Sequence, residues 1–324
     1  MIPTGREVAI EGLATGVGPG RFSYDEAFAR HRGLIDLAEQ QKLRGSRVAI
    51  VGMGGVGGIH LVTLARLGIG SFHIADPDTF ELANFNRQYG ATMHGLGRSK
   101  VEVMAAEARA INPDCEIRTF ADPIGPANVA AFLGGVDLVV DGIDFFAIDI
   151  RRLIFREARR RGLWALTAGP LGFSAASLVF SPTGMSFDDY FDLDDRMGRL
   201  DQLVAFLVGL APRATHRSYM DLSEVDVASG RGPSSGLACQ LCAGVVAAEA
   251  VKILLGRSPI RPAPHYAQFD AYRQVLVRGR IPWGNRNPWQ RLKRRLAMSA
   301  LVRMGWDRAL AGPEAERPSG IENG

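Results

Sequence analysis

Short β-branched runs alternate with stretches of helical period through the first half of this chain. Residues 47–51, RVAIV, hold four consecutive apolar positions, the pattern of a strand buried on both faces. Residues 71–75, with His73 alternating among apolar residues and the run ending at Asp76, read as a second strand, and 115–120, 136–140, 164–167 and 176–180 as four more. Between them, 59–67, 100–111, 128–133 and 147–161 carry helical spacing. The second of these is expected to stop before Asn112-Pro113, because the residue preceding proline is driven out of the α region. Residues 24–43 read as a helix broken near Gly33. Strands alternating with helices predict an α/β fold, a doubly wound and mainly parallel sheet covered on both faces. The stretch 181–235 is less regular and reads as a variable segment, with an acidic cluster at 188–195 and an apolar run at 203–210. Helix returns at 243–255 and is closed by Gly256.

This divides the chain into an N-terminal arm at 1–24, an α/β domain at 25–282 and a basic, helical C-terminal appendage at 283–324. Residues 286–303 carry Arg286, Arg291, Lys293, Arg294, Arg295 and Arg303 with no acidic residue, and Leu292, Leu296 and Leu301 give them an apolar face for packing. With 324 residues, 47% hydrophobic and 22% charged, the composition is globular. The net charge of +4 is carried by 34 arginines and only four lysines, a skew that codon bias alone produces. The charge is therefore weak evidence for nucleic acid, and each lysine becomes conspicuous. No membrane span is expected, since the most apolar stretch, 236–256, is interrupted by Gln240, Glu249 and Lys252. The first residues lack the basic-then-apolar order of a secretory signal, and three cysteines make no disulfide framework. A reduced, cytoplasmic setting is the expectation.

Gly52, Gly54 and Gly57 fit G-x-G-x-x-G between the first strand and the helix after it. Glycines admit positive φ and let a phosphate approach the backbone, while the helix N-terminus faces the anion. Asp76 ends the second strand, where a carboxylate accepts hydrogen bonds from ribose hydroxyls. These features predict a nucleotide site without separating NAD from ATP. Arg87, within Asn84-Phe85-Asn86-Arg87-Gln88, and Lys100, opening the next helix, favour ATP. A triphosphate needs its charge neutralised before a carboxylate attacks the α-phosphate, and NAD has no need of these two cations. Lys100 also stands where the helix dipole disfavours a cation, which points to an anion nearby. Asp144 follows the fourth strand at the carboxyl edge of the sheet, a place to hold Mg²⁺ together with phosphate oxygens, whereas Asp141 is expected to cap or pack locally.

Taken in order, RVAIVGMGGVG from Arg47, Asp76-Pro77-Asp78, Asn84 to Gln88, Gly97-Arg98-Ser99-Lys100, Ile111-Asn112-Pro113 and the stretch from Asp137 to Asp144 resemble the ThiF/MoeB/HesA family. That family belongs to the superfamily of ubiquitin-activating enzymes. The resemblance covers about residues 24–180 well and 236–256 more loosely. It implies a Rossmann-like adenylating domain that uses Mg·ATP to activate a carboxylate as an acyl-adenylate. The acceptor it implies is the C-terminus of a small ubiquitin-like or sulfur-carrier protein or peptide. Carried over by motif, Gly52, Gly54, Gly55, Gly57 and Asp76 would contact the nucleotide, Asp76 at the ribose. Asn84, Asn86, Arg87 and Lys100 would face the phosphates, and Asp144 the magnesium. The resemblance also implies a homodimer in which an N-terminal arginine crosses to the partner's site; Arg30 and Arg32 are the candidates.

Two places depart from the family pattern. Phe145 stands where many members have asparagine, and Phe146 follows, so this pair either packs as core or lines the acceptor channel. Cys239 and Cys242 form a single C-x-x-C pair, half of what a tetrahedral zinc site needs, so zinc is not expected. They read as small residues packing a Gly/Ala-rich helix, with a thioester step after adenylation left open. Three rival readings remain: an enzyme adenylating and dehydrating threonylcarbamoyl-adenosine in tRNA; an NAD-dependent oxidoreductase, which leaves Arg87 and Lys100 unexplained; and a non-catalytic partner subunit, against which the intact Asp76, Arg87, Lys100 and Asp144 set argues.

Overall fold

The computed structural model describes residues 21–311. Most of the N-terminal arm, and the end of the tail from 312, lie outside the described residues. Eight strands form one sheet: β1 (Arg47–Val51), β2 (Ser71–Ala75), β3 (Glu116–Phe120), β4 (Leu138–Asp141), β5 (Trp164–Leu171), β6 (Ser174–Phe180), β7 (His265–Asp270) and β8 (Val275–Arg280). Their order is β3-β2-β1-β4-β5-β6-β7-β8, parallel from β3 to β5 and antiparallel from β6 onward. The helices are α1 (Tyr24–Ala27), α2 (Leu37–Gly45), α3 (Gly55–Arg66), α4 (Lys100–Ile111), α5 (Val129–Phe132), α6 (Ile148–Arg160), α7 (Phe187–Phe191), α8 (Arg199–Leu210), α9 (Gly236–Leu255), α10 (Pro288–Arg303) and α11 (Trp306–Ala311).

The continuous apolar runs arise because each central strand has two dry faces. In β1, Val48 and Ile50 join the core beneath α3, α4 and α9, while Ala49 and Val51 join the core shared with α6 and α8. Leu138 and Val140 of β4 divide from Val139 in the same way. Strand order builds outward in opposite directions from the parallel pair β1 and β4, so a crevice opens beyond the carboxyl ends of these two strands.

The expected α/β architecture is present, with differences at its margins. The stretch 24–43 is interrupted across Gly33, as expected, but its first part is short: α1 ends at Ala27, and α2 restarts behind a capping box in which Asp36 and Glu39 each accept the other's backbone N–H. Helix α3 begins at Gly55, so the last glycines of the loop form its first turn. The hairpin β7–β8 is absent from the apolar-run reading because most of its residues are only half-buried or exposed. Helix α9 starts seven residues before the expected 243, capped by Ser235. By length and composition it is apolar enough to cross a membrane, yet it packs as a core helix on α3, β5 and β6.

The tail is stitched onto α8. Buried Asn285 donates to the carbonyls of Phe191 and Ala205 at 2.9 and 2.8 Å, and Gln290 donates to the Asn285 side-chain oxygen at 3.2 Å. The acidic cluster at 188–195 opens α7 and forms an ionic seam. Asp188 and Asp195 pair with Arg152 and Arg156 of α6, while Asp189 and Asp192 pair with Arg286 and Asp192 also with Arg294.

Candidate functional site

The glycine loop closes by backbone contact that no side chain tolerates. Gly52 has φ +88°, and a Cβ there would overlap the Gly142 carbonyl; a Cβ on Gly57 would overlap the carbonyl of Gly52. A Cβ on Gly142 would lie 2.6 Å from the Gly52 oxygen, so the loops after β1 and β4 touch through three glycines. Gly54 and Gly55 are less tightly closed. A Cβ on Gly54 would lie 3.7 Å from the Gln88 side chain, and one on Gly55 would lie 3.1 Å from Cys239 Sγ and 3.7 Å from the Arg87 side chain. Both glycines border a cavity at the N-terminus of α3.

Asp76 binds this loop to the end of β2. Its carboxylate accepts from Met53 N–H at 2.6 Å and Asp78 N–H at 2.9 Å. Burial pushes its carboxyl above the usual range, opposed by the Lys100 charge and these two N–H groups. Lys100 is buried, and its Nζ donates to the exposed Asp78 at 2.9 Å. The anion anticipated for this helix start is thus, in part, Asp78. Across the crevice, buried Asn84 accepts from Glu81 N–H, and Asn86 donates to the Ser234 carbonyl at 2.9 Å. The Asn86 side-chain oxygen and the Ala83 carbonyl hold the Arg87 guanidinium at 2.9 and 2.8 Å. Arg87 makes no ion pair among the described residues.

The loop after β4 hangs on a buried trio. Asp141 accepts from Arg151 Nε at 2.8 Å, Thr167 Oγ1 at 2.7 Å and Ile143 N–H at 3.0 Å. Arg151 also donates to the carbonyls of Ile143 and Asp144, so it fixes the turn that presents Asp144. One oxygen of exposed Asp144 accepts from Phe146 N–H at 2.9 Å. Among the described residues no cluster of three or more metal-ligating side chains occurs. A lone carboxylate with one oxygen uncommitted fits Mg²⁺, which takes one or two carboxylates and completes its shell with phosphates and water.

Two cavities meet here. One, of about 360 Å³, is polar and is lined by Gly52, Gly54, Gly55, Asp76, Lys100 and Asp122. The other, of about 340 Å³, is lined by Phe145, Phe146, Phe206, Leu210, Met220 and Trp306, among others. Gly55, Asn84, Arg87, Gly142, Ile143 and Asp144 border both. The structure therefore gathers Gly52, Gly54, Gly55, Asp76, Asn84, Arg87, Lys100 and Asp144 around one crevice. Gly57 supports it from behind, and Asn86 acts through Arg87.

Arg30 and Arg32 are exposed beside α2 and border neither cavity within one chain. Cys239 and Cys242 are buried in the core; burial pushes the Cys239 thiol to about 11 and raises the Cys242 thiol well above its ordinary value. Both are resting thiols at neutral pH, although Cys239 borders the apolar cavity. Sequence reasoning missed Arg151 and Thr167, quoted Asp78 only within a motif without a role, and saw Phe206 and Leu210 only as part of an apolar run.

Known proteins resemble this chain in sequence and in fold. The chain is 31% identical over 151 residues to the tRNA threonylcarbamoyladenosine dehydratase of Haemophilus influenzae, covering 46% of this chain and 57% of that protein. It thus spans little more than half the length of that relative. It is 28% identical to the SAMP-activating enzyme E1 of Haloferax volcanii, over 64% of this chain and 79% of that one. Among solved structures, Escherichia coli MccB with AMPCPP and MccA superposes with a TM-score of 0.56 at 19% identity, covering 76% of this chain and 66% of the other, a likeness of fold. Residues 28–290 match the ThiF family, and the chain belongs to that family.

Proposed function

We propose that this chain uses ATP to adenylate a carboxylate, that of the C-terminus of a small carrier protein or peptide. The observation carrying this reading is the meeting of a polar and an apolar cavity at Arg87, a cation with no ion pair among the described residues. The polyphosphate would lie against the open N-terminus of α3, between Arg87 and Lys100, with the ribose toward Asp76. The acceptor carboxylate would enter from the apolar side. Its oxygen attacks the α-phosphorus in line, the bond to the bridging oxygen breaks, and pyrophosphate leaves with both bonding electrons. The protein contributes orientation and charge neutralisation. Asp144 would hold Mg²⁺, which supplies further neutralisation of phosphate charge. Arg30 or Arg32 of a second copy would complete the site in a homodimer. In support, relatives are named for activating a protein, SAMP, and a neighbour of the same fold was solved with an ATP analogue and MccA.

The test is calorimetric titration with Mg·ATP and, separately, with NAD⁺. Mg·ATP should bind, NAD⁺ should not, and Lys100→Ala should lose ATP affinity by at least tenfold while keeping its melting temperature within a few degrees. NAD⁺ binding with no ATP signal would overturn the reading. A tRNA substrate is the second reading, favoured by the dehydratase relative and by exposed Arg291 and Arg295 on α10. Binding of tRNA that weakens steeply with salt would select it.

A further inference from the structure

Resting on the adenylation reading, we infer that the acceptor carries a bulky apolar side chain beside its carboxylate and is not a Gly-Gly tail. The warrant is the second cavity. Protein interiors leave few voids larger than a water molecule, yet about 340 Å³ stands open beside the nucleotide crevice. Phe145, Phe206, Leu210, Met220, Val225 and Trp306 give it an apolar side, while Glu81, Arg87, Asp144 and Arg231 also border it. Phe206, Leu210 and Trp306 are themselves buried; Phe145 packs on Phe206 with ring centroids 5.5 Å apart, and the Arg151 guanidinium carbon lies 4.5 Å from the Phe206 ring centroid.

The size decides what enters. The volume lies near the lower end of small-ligand pockets, enough for one large side chain and its adjoining backbone, and far too small for a folded domain. A glycine tail offers no apolar surface and would leave this wall facing water. A leucine or phenylalanine side chain would remove it from water, the usual source of affinity in such pockets. The mouth carries the complementary charge: Arg87 and exposed Arg231 border the cavity, and neither has an ion pair among the described residues. A carboxylate at this mouth would sit at the junction with the polar cavity, its neighbouring side chain behind it.

The probes are N-acetyl-Gly-Leu, N-acetyl-Gly-Phe and N-acetyl-Gly-Gly, titrated calorimetrically into the full-length protein with and without a Mg²⁺ complex of a non-hydrolysable ATP analogue. The Leu and Phe peptides should bind at least tenfold more tightly than Gly-Gly. Met220→Gln, a change at a half-buried position outside the sheet, should erase most of that difference, and Val225→Gln serves where Met220→Gln melts early. Equal binding, tighter Gly-Gly binding, or no binding of any of the three would overturn the inference. Titration of the nucleotide analogue alone separates the two readings. If it binds and the peptides show no preference, only the acceptor inference falls. If it does not bind, the adenylation reading falls, while the peptide preference measured without nucleotide still reports on the cavity.

Discussion

Arg151 is the residue on which the second loop of the crevice depends. Its guanidinium and the Asp141 carboxylate are both almost wholly buried, and the same arginine grips the carbonyls of Ile143 and Asp144. Removing one partner of such a pair leaves an uncompensated charge in a dry site, a loss of about 3–5 kcal/mol. Arg151→Met should therefore lower the urea-unfolding free energy by that order and disorder the turn carrying Asp144. A loss below about 1 kcal/mol would mean that Asp141 is satisfied without it. Asp141 was legible in the sequence, since it ends an apolar run. Arg151 was not, because an arginine within a helix of mixed period reads as solvated until the fold turns that face inward. Likewise, Lys100 was conspicuous by rarity, but nothing local identified Asp78 as its partner.

At the scale of elements, the parallel half was readable and the antiparallel half was not. Strands buried on both faces carry uninterrupted apolar runs, as in β1 and β4, and the turns between them are marked by glycine and aspartate. Strands β7 and β8 lie at the far edge, and β8 alternates between half-buried and exposed residues along VLVRGR, a weak signal beside two arginines and a glycine. The same logic explains the glycine loop. Its G-x-G-x-x-G spacing was visible, but the reason for the third glycine lies in a contact between elements, the packing of α3 against the Gly52 carbonyl. Gly57→Ala forces α3 away from β1, since backbone rather than a flexible side chain blocks the methyl group. The expected result is a destabilisation of about 1–3 kcal/mol with ATP affinity reduced along with it. Gly45→Ala, with nothing within 4 Å of the added carbon, is the control and should leave ATP affinity unchanged. Comparable ATP affinity in both variants would remove the loop from the nucleotide site.

The molecule as a whole should be acid-sensitive well above the carboxylate range. His60 in α3 is fully buried with neither ring nitrogen hydrogen-bonded among the described residues, and burial lowers its pKa to about 3. Burial likewise lowers His216 to about 4, partly opposed by Asp270. In both, the unfolded chain binds a proton near pH 6.5 that the folded chain refuses. Stability is then complete above about pH 6.5 and falls as pH drops toward the folded values, by up to about 1.4 kcal/mol per pH unit for each histidine. Between about pH 4.5 and 6.5 the histidines dominate this slope, because the depressed carboxylates Glu39 and Glu157 contribute in the same direction only below their ordinary range. Asp76, raised by burial, has the opposite sign: its contribution is present at low pH and lost as pH rises through its folded value. Urea unfolding at intervals from pH 4.5 to 7 measures the slope. His60→Leu should reduce it by the contribution of one proton, leaving those of His216 and of His73, which burial also lowers. An unchanged slope in the variant would mean that His60 accepts a proton in the folded state, which requires a partner for its ring buried inside α3. The helix whose N-terminus faces the crevice would then be hydrated within, and the dry packing assigned here to the glycine loop and α3 would have to be abandoned.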